Sequence, residues 1–154
     1  ALLRSGCYVT HDHGNYKRFV NVVEARLGCA AGTALQPALE VWTHVQSCPE
    51  PGLALLSMGK RDVAYDLDLP QPVWCSGGQG GGPQPVPAHW RIDALNDQHA
   101  YLRFDASAPP AEWPQLGQTV ASGISHPCTT FDKWRWLPVV DDRYAVVDAV
   151  TTWF

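Results

Sequence analysis

A histidine and a cysteine lie two positions apart in the stretch SGISHPCTTFDKWRW, at His126 and Cys128. In an extended segment, side chains at i and i+2 leave the same face, so the imidazole and the thiolate could converge on one metal ion. Two protein ligands would leave positions for water or substrate, as a catalytic metal requires. Because Pro127 between them has no N–H, we expect this stretch on a sheet edge or in a loop. On spacing alone, however, a buried cysteine beside an ordinary loop histidine is the favoured interpretation.

A second pair of histidines at the same spacing, His11 and His13, flanks Asp12. They could bind a metal or carry protons, but helix capping by one of them is the favoured interpretation. The acidic stretch GKRDVAYDLDLP, residues 59–70, lacks the regular oxygen-ligand spacing of a calcium loop, so we interpret it as a surface turn. Three histidines have no partner in the sequence and are assigned no chemistry: His44, His89 and His99.

The composition fits one domain whose surface is poor in charge. Charged residues make up 17% of the 154 residues, whereas about 25% is usual. The seven tryptophans point the same way, because large amphipathic rings favour interfaces and pockets. We therefore expect another domain or subunit to cover part of this surface. The abrupt start and end of the sequence lead us to expect the C-terminal part of a longer protein.

Charge and cysteine content exclude several classes of partner. The net charge of −4 and the lack of a basic stretch argue against nucleic acid. No apolar run approaches the roughly 18 residues that indicate a membrane span. Five cysteines, an odd number without a CxxC motif, argue against a secreted disulfide framework and make the cytoplasm the expected location.

Helical periodicity follows the first histidine pair. In HGNYKRFVNVVEARLG the apolar residues recur at helical spacing, which predicts one amphipathic helix with Asn15 capping its start and Gly28 ending it. Before it, residues 3–11 suit a short strand in which Gly6 marks a bulge or a close backbone approach. The apolar positions of the helix are Tyr16, Phe19, Val20, Val23 and Leu27.

After residue 38 the apolar period changes from 3.6 to two. Leu39, Val41, Thr43 and Val45 alternate with polar residues, and later segments, including a hairpin turning at 96–97, bring the total to seven or so strands. The Gly/Pro-rich stretches 75–87 and 106–114 are predicted to be loops without regular structure. The expected fold class is mainly β (α+β), a bent antiparallel sheet or β-barrel with one amphipathic helix packed on it.

Four segments in this order are similar to the C-terminal domain of the D-serine dehydratase/D-threonine aldolase family. They are LRSGCYVTHD, GKRDVAYDLDLP, LNDQHAYL and GISHPCTTFDKW. Members of that family are pyridoxal-phosphate enzymes with an alanine-racemase-like fold, in which a TIM barrel precedes a β-domain. The resemblance covers essentially residues 1–154 and is much more specific as an ordered set than any single piece.

The resemblance implies roles for particular residues. His126 and Cys128 inherit the family's zinc-binding pair, and Gly6 and Cys7 lie where backbone N–H groups approach the cofactor phosphate, a contact that an exposed amide pair can make. Cys7 departs from the small polar residue expected there. The resemblance assigns no catalytic residue to this chain, because the Schiff-base lysine belongs to the barrel. The lysines present have no matching context: Lys17, Lys60 and Lys133.

The implied activity is dehydration of a small D-amino acid, D-serine, to pyruvate and ammonia. Zinc on His126 and Cys128 would help the β-hydroxyl to leave, and the enzyme would be a homodimer in which this domain covers the partner's active site. Two alternatives stay open. One is a D-threonine aldolase, although family aldolases tend to carry a carboxylate in place of Cys128, and the other is a non-catalytic β-module.

Overall fold

The structure, a computed structural model, describes residues 6–30, 33–76 and 82–153. Its helices are α1 (Asn15–Leu27) and α2 (Pro127–Phe131), with a short 3-10 turn at Pro110–Glu112. Its strands are β1 (Glu40–Glu50), β2 (Leu53–Leu56), β3 (Gln71–Ser76), β4 (Pro83–Pro85), β5 (Arg91–Leu95), β6 (Ala100–Arg103), β7 (Thr119–Gly123), β8 (Trp136–Val140) and β9 (Val146–Thr151).

Seven of these strands form one antiparallel sheet in the order β4-β3-β7-β1-β2-β6-β5. No ladder joins β4 to β5 within the described ranges, so the sheet is open and not closed into a barrel. Among the described strands, the remaining two, β8 and β9, pair with each other alone and form a separate hairpin. The expected mainly β fold is confirmed. Of the two predicted forms, a bent antiparallel sheet and a β-barrel, the structure has the open antiparallel sheet.

The core lies on one face of the sheet. Leu39, Val41, Thr43 and Val45 are each at most 9% exposed, as their alternation predicts, because every second side chain of a strand faces the same way. The hairpin predicted around 96–97 is also present, since Leu95 of β5 pairs with Ala100 of β6.

The prediction of a strand over residues 3–11 is wrong for the part of that stretch that the structure describes. Residues 6–10 form bends and turns, and residues 1–5 lie outside the described ranges. The N–H of His11 donates to the carbonyl of Cys7 at 2.7 Å, which closes a turn, and His11 itself has a φ of 50°. A bulge at Gly6 within a strand is therefore excluded.

Helix α1 has the predicted bounds but not the predicted packing. Gly28 ends it in the left-handed conformation with a φ of 65°, as expected. The predicted apolar residues point outward, with Phe19 60% and Leu27 71% exposed, while Glu24 is the buried residue of the helix. Helix α1 packs against no other described helix or strand, so the expected docking on the sheet is not present within this part of the chain.

The two stretches predicted to be irregular contain short regular elements. Residues 75–76 complete β3 and residues 83–85 form β4, while residues 77–81 lie outside the described ranges. The stretch 106–114 contains the 3-10 turn. Directly after this turn, the indole N–H of Trp113 donates to the carbonyl of Ala108 at 2.9 Å. Among the described residues, no helix has the length and apolar character needed to cross a membrane.

Candidate functional site

His126 and Cys128 lie at the start of a short helix, where His126 still has an extended backbone and Cys128 is helical. Strand β7 ends at Gly123, and after two residues His126 occupies the N-cap position of α2. Pro127 is the first helical residue, a position that suits proline because the N–H it lacks would have no helical partner. The expectation that residues 126–128 lie on a sheet edge or in a loop is therefore wrong for Pro127 and Cys128, which are helical, whereas His126 before them has an extended backbone.

A carboxylate from the stretch predicted to be a surface turn, residues 59–70, holds the His126 ring. Asp66 Oδ2 lies 2.5 Å from His126 Nδ1, and Thr129 Oγ1 donates to Asp66 Oδ1 at 2.8 Å. Desolvation opposes ionisation of Asp66, but the hydrogen bonds from His126 and Thr129 outweigh it, so the pKa of Asp66 is lowered. Because an ionised carboxylate only accepts hydrogen bonds, Nδ1 carries the ring proton and neutral His126 has its lone pair on Nε2.

The donor atoms that this arrangement leaves free fit a zinc ion. No described residue hydrogen-bonds His126 Nε2, and the side chain is 29% exposed. Cys128 is an exposed free thiol two residues later. Neutral imidazole and thiolate are both zinc ligands, and zinc binding deprotonates a thiol. Within the described ranges no group of three or more His, Cys, Asp or Glu side chains is arranged to hold a metal, so any further ligand is not in this set.

The structure brings Cys7 next to Cys128. Burial is the largest cause of a raised pKa at Cys7, and the neighbouring Cys128 thiol, which hydrogen-bonds with Cys7, raises that pKa further. One residue of each predicted pair, Gly6–Cys7 and His126–Cys128, therefore meets the other although about 120 positions separate them in the sequence. Their proximity was not readable from spacing.

The histidine pair near the start of the chain packs against the same region. His13 donates its N–H to the carbonyl of Ile124 at 2.8 Å. Burial lowers the pKa of His13 to about 4, so its ring is neutral near pH 7. His11 is 2% exposed, and its Nε2 and the Nδ1 of His13 have no hydrogen-bond partner among the described residues. Neither histidine caps the helix, contrary to the favoured interpretation.

Asp12, between these histidines, caps α1 in place of the expected Asn15. Its Oδ1 accepts hydrogen bonds from the N–H of Gly14 at 2.9 Å and of Tyr16 at 3.0 Å. Asp12 is 1% exposed, so the cap also fixes the buried segment that leads into the helix. The sequence carried a signal for this cap, since aspartate is a strong N-cap residue, but the loop path that turns it toward the helix was not predictable.

A separate aromatic pocket of about 740 Å³ lies between the sheet and the β8–β9 hairpin. At its wall Glu40 accepts hydrogen bonds from the indole N–H groups of Trp74 at 3.0 Å and Trp42 at 3.1 Å, and from the Tyr144 hydroxyl at 3.1 Å. Burial, together with the charge and hydrogen bond of Glu40, raises the pKa of Tyr144 to about 12. Since three donors occupy the Glu40 carboxylate, we assign it a structural role and place the candidate chemistry at His126 and Cys128.

A family profile described as "Putative serine dehydratase domain" matches residues 38–140. No curated protein sequence matches the chain.

Solved structures share the fold. D-threonine aldolase from Filomicrobium marinum aligns with a TM-score of 0.62 at 20% identity, over 92% of this chain and 31% of that one. D-threo-3-hydroxyaspartate dehydratase from Delftia sp. HT23 aligns with a TM-score of 0.62 at 20% identity, over 97% of this chain and 39% of that one. This chain thus spans between about a third and two fifths of the length of these enzymes.

Two further structures carry substitutions in D-threo-3-hydroxyaspartate dehydratase. In one, a cysteine is replaced by alanine and the protein is in a metal-free form. In the other, a histidine two positions earlier is replaced by alanine. They align with this chain with TM-scores of 0.62 and 0.64 at 19% identity, over 97% of its length, and at that identity the likeness shows a shared fold.

Proposed function

Because this chain belongs to the family described as the putative serine dehydratase domain, we propose that residues 1–154 are the C-terminal metal-binding domain of a pyridoxal-phosphate- and zinc-dependent lyase. Its proposed reaction is the dehydration of D-serine to pyruvate and ammonia. A TIM-barrel domain outside this sequence would carry the Schiff-base lysine and most contacts to the cofactor. The proposal includes a cytoplasmic homodimer.

One observation carries the proposal: the exposed Cys128 thiol lies two residues from a histidine whose Nδ1 is held by Asp66 and whose Nε2 is left without a described partner. A histidine that donates from one ring nitrogen to a carboxylate is the usual form of a metal-binding histidine. In the two substituted dehydratase structures, the residues replaced are a cysteine and a histidine two positions before it, which is the same spacing. We therefore assign His126 Nε2 and Cys128 Sγ as the ligands of the metal.

Each residue of this chain has a limited task in the proposed reaction. When bound at His126 and Cys128, zinc would supply Lewis-acid help to the departing β-hydroxyl of the substrate. Gly6 and Cys7 would offer backbone N–H groups to the cofactor phosphate. Cys128 is exposed whereas Cys7 is partly buried, so Cys128 is the thiol that a metal ion can reach.

The metal assignment is tested on the full-length enzyme by elemental analysis. We expect about one zinc per subunit, lost in both His126→Ala and Cys128→Ala. Cys29→Ala is the matched control, because Cys29 is also an exposed free thiol but lies beyond the end of α1. Retention of full zinc content by both site variants would overturn the assignment.

The principal alternative is a D-threonine aldolase, which the similar fold of the Filomicrobium marinum enzyme supports. Cys128 favours the dehydratase, since family aldolases tend to carry a carboxylate there. Product analysis decides: pyruvate from D-serine supports dehydration, whereas glycine and acetaldehyde from D-threonine, with no keto acid from D-serine, would replace it by the aldolase. Turnover of neither substrate by the full-length protein would favour a non-catalytic β-module.

Chelation separates the two tasks of the proposed dehydratase. Treatment with a chelator is expected to stop pyruvate release while α-deuterium exchange of D-serine in heavy water continues, because removal of the α-proton does not require the metal. Loss of both activities together would show that the metal is needed before the β-hydroxyl leaves.

A further inference from the structure

Asp66 contacts both His126 and Thr129, and none of the sequence signals identified it. Its two carboxylate oxygens are used separately: Oδ2 faces His126 Nδ1 at 2.5 Å, and Oδ1 accepts from Thr129 Oγ1 at 2.8 Å. The side chain is 42% exposed, so it is accessible to solvent on one side and ordered by two partners on the other. Two partners on two oxygens fix the direction from which the carboxylate meets the imidazole.

The loop that carries Asp66 is held without its carboxylate. The N–H of Ala64 donates to Thr130 Oγ1 at 3.1 Å, and Ser125 Oγ bonds both the N–H and the carbonyl of Asp68 at 3.0 Å each. These bonds anchor the chain two residues before and two residues after Asp66. Because the backbone is fixed on both sides, the carboxylate is not required to dock the loop on α2.

We infer that Asp66 is the positioning residue of the metal site: by accepting the Nδ1 proton of His126, it holds the ring so that Nε2 points its lone pair at the metal. This inference rests on the proposed metal at His126 and Cys128. A metal-binding histidine is commonly oriented in this way by a carboxylate, and loss of such a partner typically lowers metal affinity by about 10- to 100-fold. Thr129 does not hydrogen-bond to the His126 ring but supports its orientation indirectly, because it donates a hydrogen bond to the other carboxylate oxygen of Asp66.

A conservative substitution distinguishes positioning from general electrostatics. In Asp66→Asn the amide oxygen can still accept from Nδ1–H, so orientation is kept while the negative charge is removed. In Asp66→Ala both are lost. If orientation is the main contribution, zinc affinity should fall in Asp66→Ala and be substantially restored in Asp66→Asn.

The test measures the zinc dissociation constant of the full-length enzyme by competition with a chromophoric chelator. We expect Asp66→Ala to raise it by about 10- to 100-fold and Thr129→Val by a smaller factor. Asp68→Asn is the matched control. It removes the same charge from the same loop, but the Asp68 side chain pairs with Arg18 and not with His126. Thermal unfolding of each metal-free variant identifies any that lose the fold.

Cobalt substitution provides a spectroscopic check. In the cobalt-loaded wild type and Asp68→Asn we expect the same ligand-field spectrum, whereas in Asp66→Ala the ligand-field bands should shift while the thiolate-to-cobalt charge-transfer band from Cys128 remains. A folded Asp66→Ala variant with an unchanged dissociation constant and an unchanged spectrum would overturn the positioning role. If His126→Ala and Cys128→Ala also bind zinc normally, the proposed metal site itself is wrong. Failure of the metal site is thereby distinguished from failure of the positioning role of Asp66 alone.

Discussion

The imidazole ring of His13 lies against the backbone of Gly123, so closely that a Cβ on Gly123 would come within 2.5 Å of His13 Nδ1. Gly123 is the last residue of β7 and pairs with Glu40 on one side and Gln71 on the other, so it cannot move aside easily. The absence of a side chain on Gly123 thus allows the segment that carries Cys7 and His13 to pack beside α2.

Gly123→Ala is therefore expected to destabilise the fold by about 1–3 kcal/mol, the usual cost of forcing extra atoms into a packed site. Urea unfolding measures the change. Gly82→Ala is the control, since nothing lies within 4 Å of a Cβ placed there and Gly82 has no positive φ. A cost that disappears when His13 is also replaced by alanine would show that the ring is the obstacle; equal stability of both glycine variants would contradict the packing described.

Asp12→Ala is expected to destabilise by about 1–2 kcal/mol, because it removes the acceptor for two N–H groups at the start of α1. Asn15→Ala serves as the comparison, since Asn15 has the residue type of a cap but makes no capping hydrogen bond. Chemical denaturation of the two variants under the same conditions gives the difference. A larger loss in Asn15→Ala would refute the capping role of Asp12.

Local features of this fold could be predicted from a single sequence, whereas contacts between distant segments could not. The bounds of α1 and the alternation in β1 follow from local periodicity, and both are present. The cap at Asp12 and the exposure of Phe19 depend on the path of the neighbouring loop and on what covers the helix. The pairing of Asp66 with His126 joins residues 60 positions apart, which no local spacing reports.

For the candidate site, the identity of the residues could likewise be predicted, but their local geometry and contacts could not. Residue type and resemblance pointed to His126 and Cys128, but the expected extended geometry gave way to a helix start, because proline at the first helical position favours one. That Cys7 would contact Cys128 depends on the turn closed by His11, which replaced a predicted strand.

Stability should fall at high pH through Tyr144. Its folded pKa, raised to about 12, lies above the value of about 10 for an unfolded tyrosine. Because the unfolded chain loses its proton first, the stabilisation present below about pH 10 is lost progressively as the pH rises toward 12. Unfolding measured across this range should show a steeper loss in the wild type than in Tyr144→Phe, which lacks the hydroxyl. Parallel curves would show that Tyr144 is not the group responsible.

Thiol alkylation should follow burial and the pKa shifts. At pH 8, iodoacetamide is expected to modify the exposed Cys29 before Cys7, whose pKa is raised by burial and by Cys128. Removing the neighbouring thiol in Cys128→Ser should speed modification of Cys7 but leave that of the buried Cys75 unchanged. Peptide mass spectrometry over time measures the order. Labelling of Cys7 at the same rate in the metal-free wild type and in Cys128→Ser would contradict the contact between the two thiols.

The β8–β9 hairpin shares no backbone ladder with the seven-stranded sheet in the described part of the chain. It is attached by side chains, chiefly the Tyr144 hydroxyl on Glu40 and, just before β8, the Trp134 indole N–H on the carbonyl of Asp62 at 2.7 Å. Such an attachment permits a subglobal opening in which the hairpin swings away while the sheet stays folded. Amide protons of Val139 and Val150 should then exchange with solvent faster than those of Val45 and Val120, and solutes would enter the aromatic pocket at a rate set by the opening equilibrium of the hairpin.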